Sequence, residues 1–134
     1  MSRYVTDTHA LYWHFTNDPR LSLLAHQIFR EADAGMHQIL VPGIVLIEMV
    51  YLAEKGRLAL ALVDRVFASF DIVGGSYAVA PLDQHTAQAL HDIPRSVIPD
   101  MPDRIIAATA YQLELPLLTR DAAIHKAGVV SVIW

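Results

Sequence analysis

Four acidic residues of this chain stand in contexts that favour a divalent metal site: Asp7, Glu48, Asp103 and Asp121. Glu48 is the most informative, because it is the only charged residue in the apolar stretch 44–53. An ionised carboxylate that is buried without a partner is strongly unfavourable, and a cation offsets that cost. Hard divalent cations prefer oxygen ligands. We therefore predict a Mg²⁺ site, and with it an enzyme that cleaves phosphodiester bonds.

Apolar periodicity and turn residues predict an alternation of strands and helices along the chain. The predicted strands are 4–6, 38–41, 77–81, 116–119 and 129–133. The predicted helices are 10–15, 21–34, 42–55, 57–70, 83–91, 102–113 and a short one at 122–127. Such alternation indicates an α/β fold with a mostly parallel central sheet of about five strands and helices on both faces. No linker or repeat interrupts it, so we expect one domain over residues 1–134.

The carboxyl ends of parallel strands lie at one edge of a sheet, where open α/β folds form their binding sites. Asp7 follows the first predicted strand, and Thr119 and Asp121 lie at the end of the fourth. Glu48 lies within the first two turns of the helix after the second strand, and Asp103 lies at the start of its helix. We expect the four carboxylates to converge on this edge.

Each predicted ligand also has a structural alternative. Five residues stand where helix N-caps or first-turn acids are found: Asp7, Thr8, Asp100, Asp103 and Asp121. Side-chain oxygens at these positions bond the free N–H groups of a helix and favour its dipole. Glu48 has a different alternative, since it could reach the surface or pair with an arginine. Both readings remain open from the sequence.

The composition indicates a folded protein of one domain. The 134 residues are 54% apolar and 18% charged, and the longest apolar runs are about ten residues, short of a membrane span of about 20. No positively charged leader precedes an apolar segment, so we expect no signal peptide. The absence of cysteine excludes disulfides and cysteine nucleophiles, and it fits the cytoplasm. The net charge of −4 argues against a general nucleic-acid coat.

The histidines and tryptophans of the sequence give no specific indication of function. The seven histidines show no His-x-x-x-His spacing of a zinc site, so we treat them as surface or packing residues, with His9 beside the predicted site. Trp13 and Trp134 are predicted to belong to the core rather than to stack on bases.

Four segments, in order over the whole length, carry a family resemblance: 7–13 (DTHALYW), 42–48 (PGIVLIE), 100–110 (DMPDRIIAATA) and 115–121 (LPLLTRD). Together they resemble the PIN-domain ribonucleases, and among these the VapC toxins of bacterial VapBC toxin–antitoxin pairs. Met101-Pro102 stands where the family usually has Pro-Phe, and Ile98-Pro99 stands where His-Arg often precedes the first aspartate. No carboxylate is lost by these departures.

The resemblance implies a PIN-like three-layer α/β/α sandwich and a metal-dependent ribonuclease. Asp7 and Asp103 would be the principal ligands of Mg²⁺, with Mn²⁺ as the alternative, and Glu48 and Asp121 would complete the acidic cluster directly or through water. The supporting residues are Thr8, Asp100 and Thr119. Arg104 and Arg120 flank the acids and are candidate contacts for RNA phosphates, and each could instead pair with a neighbouring aspartate. Hydrolysis of single-stranded RNA is expected to leave a 3′-hydroxyl and a 5′-phosphate.

The resemblance also implies partners. We expect a homodimer covered by a cognate VapB-type antitoxin, with a larger toxin–antitoxin assembly as the alternative and no membrane. The apolar faces of 21–34 and 57–70 are the candidate contact surfaces. Three other functions remain: a PIN nuclease with a housekeeping RNA-processing or DNA-directed role, a PIN scaffold that binds protein or RNA without cutting, and a phosphoacceptor receiver domain. The last is disfavoured, because neither Lys55 nor Lys126 follows a predicted strand.

Overall fold

The structure, a computed structural model of residues 1–134, has five strands and seven helices. The strands are β1 (Ser2–Thr6), β2 (His37–Pro42), β3 (Tyr77–Ala80), β4 (Leu117–Leu118) and β5 (Val132–Ile133). The helices are α1 (Thr8–Phe15), α2 (Leu23–Asp33), α3 (Gly43–Glu54), α4 (Leu60–Ser69), α5 (Gln84–His91), α6 (Met101–Leu113) and α7 (Ala122–Ala127). None of these helices has both the length and the apolar character needed to cross a lipid bilayer.

The five strands form one parallel sheet in the order β3-β2-β1-β4-β5, with β1 at its centre. From β1 the chain proceeds outward to β3 on one side, and from β4 it proceeds to β5 on the other. The direction of winding therefore changes between β1 and β4. Open α/β sheets form their binding sites at such a point, beyond the carboxyl ends of the strands. The predicted α/β/α architecture with a central parallel sheet is confirmed.

The core forms along the central strands. Val5, Ile39 and Leu117 are fully buried, as is Leu118 next to Leu117, so β4 is covered on both faces. This is the pattern of a parallel strand between two helical layers, which is apolar continuously rather than in alternation. Large helical side chains complete the core: Trp13, Phe29, Met49, Ile106 and Ile124.

The predicted elements all occur, and their ends differ by a few residues. The helix predicted at 57–70 begins only at Leu60, because Gly56 adopts a left-handed φ of 73° after α3 and Ala59 is still extended. The last strand is confined to Val132–Ile133 instead of 129–133. The short helix occupies Ala122–Ala127, as predicted.

Candidate active site

Asp7 lies at the junction between the central strand and the first helix. It caps α1, since its Oδ1 accepts a hydrogen bond from the backbone N–H of Ala10 at 2.9 Å. Its Oδ2 accepts the hydroxyl of Thr119 at 2.5 Å, which joins the end of β1 to the end of β4. Burial raises the pKa of Asp7, although the bonds from Thr119 and Ala10 oppose that shift. The predicted capping role is confirmed, and each oxygen retains a second lone pair for another ligand.

Asp103 approaches the same edge from the first turn of α6. Asp100 is the N-cap, as predicted, and its Oδ2 accepts the backbone N–H of Asp103 at 3.1 Å. The pKa of Asp103 is raised to about 8, first by burial and then by repulsion from Asp121, Asp100 and Glu48. These carboxylates therefore lie close enough to oppose the ionisation of Asp103.

The end of β4 supplies the third part of the site. Thr119 is fully buried, and its hydroxyl both donates to Asp7 and accepts the backbone N–H of Asp121 at 3.0 Å. Asp121 caps α7 through the backbone N–H of Ile124 at 2.9 Å, which confirms its predicted capping role. His125 Nε2 donates to the carbonyl of Thr119 at 2.8 Å. The hydroxyl of Thr119 thus orients the side chain of Asp7 and the backbone of Asp121.

Glu48 lies in the second turn of α3 and is half-buried. Its apolar stretch is only partly core, because α3 exposes Ile47, Val50 and Tyr51 to solvent. The unfavourable burial of Glu48 is therefore smaller than predicted. Its partner is a hydroxyl rather than an arginine: Thr8 Oγ1 donates to Glu48 Oε1 at 2.5 Å.

A cavity of about 270 Å³ opens between these elements. Its lining residues are Asp7, His9, Trp13, Asp103, Arg120 and Asp121. Three of the four predicted acids therefore face one space. Glu48 lies beside that space, where its charge contributes to the raised pKa of Asp103. Three larger cavities, of about 720, 560 and 350 Å³, contain none of the four acids.

The two arginines predicted to contact phosphates have different environments. Arg104 donates from Nε to the carbonyl of Ile93 at 2.8 Å and from Nη2 to that of Leu90 at 2.9 Å, which ties α6 to the end of α5. It is absent from the cavity lining, so the structure gives it a structural role in place of the predicted phosphate contact. Arg120 is exposed and lines the cavity, with its Cζ 4.6 Å from the centroid of the Trp13 ring.

The acid set fits a hard cation that keeps water ligands. No group of three or more His, Asp or Glu side chains is arranged to hold a metal ion directly, so the cluster is not a closed cage. Mg²⁺ retains several waters and is usually bound through one or two carboxylates and the substrate phosphates. The repulsion that raises the pKa of Asp103 is a charge imbalance that a cation relieves.

The PIN domain family model matches residues 4–130, nearly the whole chain. The chain belongs to the PIN-domain family. It is 32% identical to Ribonuclease VapC22 of Mycobacterium tuberculosis over 141 aligned residues that cover all of both chains. The predicted resemblance is therefore confirmed, and the receiver-domain alternative is removed.

Solved structures share the PIN fold of this chain at low identity. The chain matches one in VapBC2 from Rickettsia felis, solved bound to a promoter DNA fragment, with a TM-score of 0.74 and 12% identity over 98% of this chain and 97% of that chain. It also matches a chain in a toxin–antitoxin complex from Klebsiella pneumoniae, with a TM-score of 0.70 and 22% identity over 98% of this chain and 96% of that chain. At these identities the likeness shows the fold alone.

The sequence prediction missed how one wall of the cavity is built. Trp13 is in the core as predicted, with 2% of its surface exposed, yet it also lines the cavity beside the exposed His9. Arg20, which no motif indicated, lies over the same indole with its Cζ 4.9 Å from the centroid and bonds Asp18. These contacts join α1, the loop after it and the end of β4, so no local spacing signals them.

Proposed function

We propose that this PIN-domain protein is a Mg²⁺-dependent endoribonuclease that hydrolyses phosphodiester bonds in RNA, and that it is the toxic component of a toxin–antitoxin pair. The observation that carries the proposal is the single cavity wall on which Asp7, Asp103 and Asp121 meet. The mutual repulsion at this wall is typical of a site built for a cation. The family membership and the likeness to Ribonuclease VapC22 support the activity.

In this proposal Asp7 and Asp103 hold Mg²⁺ as its principal ligands, and Glu48 and Asp121 contribute directly or through water. A bound ion supplies positive charge against the phosphate oxygens and activates water for hydrolysis. Mn²⁺ is the alternative cation, because it suits the same oxygen donors.

The threonines of the site keep the carboxylates in place before any ligand arrives. Thr119 bonds Asp7 from within the core, and Thr8 bonds Glu48 across the gap between α1 and α3. Outer bonds of this kind fix the orientation of a ligating carboxylate, so little ordering is required on binding.

We further propose a cytoplasmic homodimer, alone or in a larger assembly, whose site a VapB-type antitoxin covers. The apolar faces predicted as contact surfaces are partly exposed, most clearly at Leu23 of α2 and Leu60 of α4. Ile47, Val50 and Tyr51 add an apolar groove of about 560 Å³ between α3 and α4. Exposed apolar patches favour association. Light scattering tests the dimer: a mass near twice 14.9 kDa is expected, and a monomer at all concentrations would contradict it.

Cleavage of a mixed single-stranded RNA pool tests the nuclease activity. The purified protein is compared in Mg²⁺ and in EDTA with Asp7→Asn and with Asp71→Asn, a control that makes the same change at an exposed acid after α4. Cleavage that requires both Mg²⁺ and Asp7, and that leaves 5′-phosphates, is expected. Cleavage that survives EDTA or Asp7→Asn would contradict the proposal, and the absence of both cleavage and Mg²⁺ binding would favour the non-cleaving scaffold.

A growth experiment tests the toxin role against housekeeping RNA processing. Expression of the wild-type chain is expected to arrest growth, and Asp7→Asn is expected to abolish the arrest. Normal growth with an active enzyme would favour the housekeeping function.

A further inference from the structure

One wall of the acidic cavity carries a cation whose hydrogen-bond donors are free. Arg120 is exposed, and its guanidinium takes part in no hydrogen bond or ion pair. Arg20, nearby, instead donates to Asp18 from Nε at 3.0 Å and from Nη2 at 2.7 Å. The guanidinium of Arg104 is engaged by two carbonyls. Among these three arginines, only Arg120 can offer a full set of donors to a ligand.

The indole of Trp13 holds Arg120 in position. The Cζ of Arg120 lies 4.6 Å from the ring centroid, within the range of a cation–π contact. The ring is fixed, because Trp13 is 2% exposed and also contacts Arg20 and Trp134. A guanidinium held through a ring contact loses less side-chain freedom when it binds an anion. Arg120 is therefore oriented before a ligand arrives.

Arg120 shares the cavity with three carboxylates but forms no ion pair with any of them. The pKa of Asp18 is lowered to about 2 chiefly by the bonds from Arg20, and Arg120 adds to that shift. The lining of the cavity thus contains carboxylates suited to a cation and a guanidinium, free of ion pairs, suited to an anion.

We propose that Arg120, held over Trp13, binds a phosphate of the substrate strand next to the one that is cleaved, and so positions the strand along the acidic wall. This inference rests on the proposed nuclease function. A strand whose scissile phosphate lies at the carboxylates presents further phosphates on both sides of it. Guanidinium binds phosphate oxygens in bidentate fashion, so the free donors of Arg120 match this neighbour.

Binding of a labelled single-stranded RNA to the Asp103→Asn protein in Mg²⁺, followed by fluorescence anisotropy over a range of salt, tests the inference. In this non-cleaving background, Arg120→Ala is expected to weaken binding about tenfold. It is also expected to reduce the slope of log K against log salt by about 0.7, which corresponds to one phosphate contact on a single strand. Arg120→Lys keeps the charge, so it should preserve the slope while weakening binding.

Two comparisons separate this role from a general effect of charge or folding. Arg57→Ala removes another exposed arginine, beyond the carboxyl end of α3, and is expected to leave affinity and slope unchanged. Trp13→Phe is expected to reproduce part of the Arg120→Ala loss, and to have no further effect when Arg120 is already alanine.

Equal affinity and equal slope for the Asp103→Asn parent and its Arg120→Ala derivative would overturn the inference. That outcome would leave the proposed nuclease function untouched, because the nuclease function is tested separately by cleavage of RNA by the wild-type protein. If the wild-type protein cleaves RNA and Arg120→Ala changes neither KM nor its salt dependence, the positioning role alone is wrong. If the parent binds no RNA and the wild type does not cleave, both are wrong.

Discussion

The carboxylates at the cavity and those at the periphery of the fold have opposite electrostatic environments. The pKa of Asp103 is raised to about 8 by burial and by neighbouring carboxylates. At the periphery, hydrogen bonds from Arg20 hold the pKa of Asp18 at about 2. The pKa of Glu31 is also lowered, first by a hydrogen bond from Gln27 and then by one from a histidine. The fold therefore pairs some acids with donors that favour their ionisation and leaves Asp103 among carboxylates that oppose it.

This difference distinguishes acids that serve the structure from acids that serve a ligand. Arg120 lines the cavity, yet no cation forms an ion pair with the cavity acids, in contrast to Arg20 at Asp18. Instead Asp7, Asp103 and Asp121 share a wall on which their charges repel. Unfavourable electrostatics of this kind cluster at functional sites, where stability is exchanged for activity. Removal of a cavity acid should therefore have effects opposite to removal of a peripheral one.

Asp103→Asn should give the largest effect. The amide keeps the shape and removes the charge, so RNA cleavage should fall by about 100-fold or more, beyond the range of 10–100-fold typical of outer-shell changes. The metal-free protein should become more stable, because the amide avoids the cost of keeping a buried carboxyl protonated at neutral pH. Cleavage rates and the midpoint of urea unfolding in EDTA check both effects. A variant that loses stability as well as activity would contradict the comparison.

Thr119→Val should give the next largest effect. The valine removes the hydroxyl that orients Asp7, so cleavage should fall by about 10–100-fold. Thr119→Ser keeps the hydroxyl and should retain most of the activity. If the serine and valine variants were equally impaired, packing rather than the hydrogen bond would be responsible.

The stability of the metal-free protein should fall as pH rises toward 8. The folded-state pKa of Asp103 lies above the ordinary value of 3.8. Between these two values the folded protein binds one more proton than the unfolded chain, so the free energy of unfolding falls as pH rises. Burial lowers the pKa of His14 below its ordinary 6.5, so its titration makes stability rise with pH, opposite in sign to the effect of Asp103. One proton limits the slope to about 1.4 kcal/mol per pH unit. Asp103→Asn should remove the fall in the stability of the metal-free protein with rising pH. An unchanged dependence on pH would mean that another group titrates.

Glu31→Gln should give the smallest effect, and one of opposite sign. It removes a charge bonded by Gln27 and His37 far from the cavity lining, so stability should fall slightly and RNA cleavage should not change. The loss should shrink at high salt, because exposed charges are screened. A gain in stability at this position would remove the contrast with Asp103→Asn.

The sequence predicted the order of elements well, because each has a local signal. Apolar runs indicate the buried parallel strands, and helical spacing indicates the amphipathic helices. The start of α4 was less predictable, since it depends on how Gly56 and Ala59 leave α3. The exposed face of α3 was missed for a related reason. Ile47, Val50 and Tyr51 are as apolar as the buried residues between them, and only the fold decides which side faces solvent.

The acids of the site were predictable because they follow from topology: residues after parallel strands meet at one edge of the sheet. Asp7, Asp103 and Asp121 do so. The contacts that give Arg104 and Arg120 different environments were not predictable from the sequence. The carbonyl bonds of Arg104 and the indole beneath Arg120 are tertiary contacts between segments with no fixed spacing.

Calorimetric titration of Mg²⁺ into the wild-type protein and into Asp103→Asn at neutral pH, each in two buffers of different ionisation enthalpy, tests the central claim most directly. The claim is that the uncompensated charge of the cavity acids serves a cation. The wild type should bind the ion and release a proton, because the pKa of Asp103 is about 8 without metal and its carboxyl must ionise to ligate. The variant should bind far more weakly and release none. Equal binding by both proteins, or no binding by the wild type, would contradict the account.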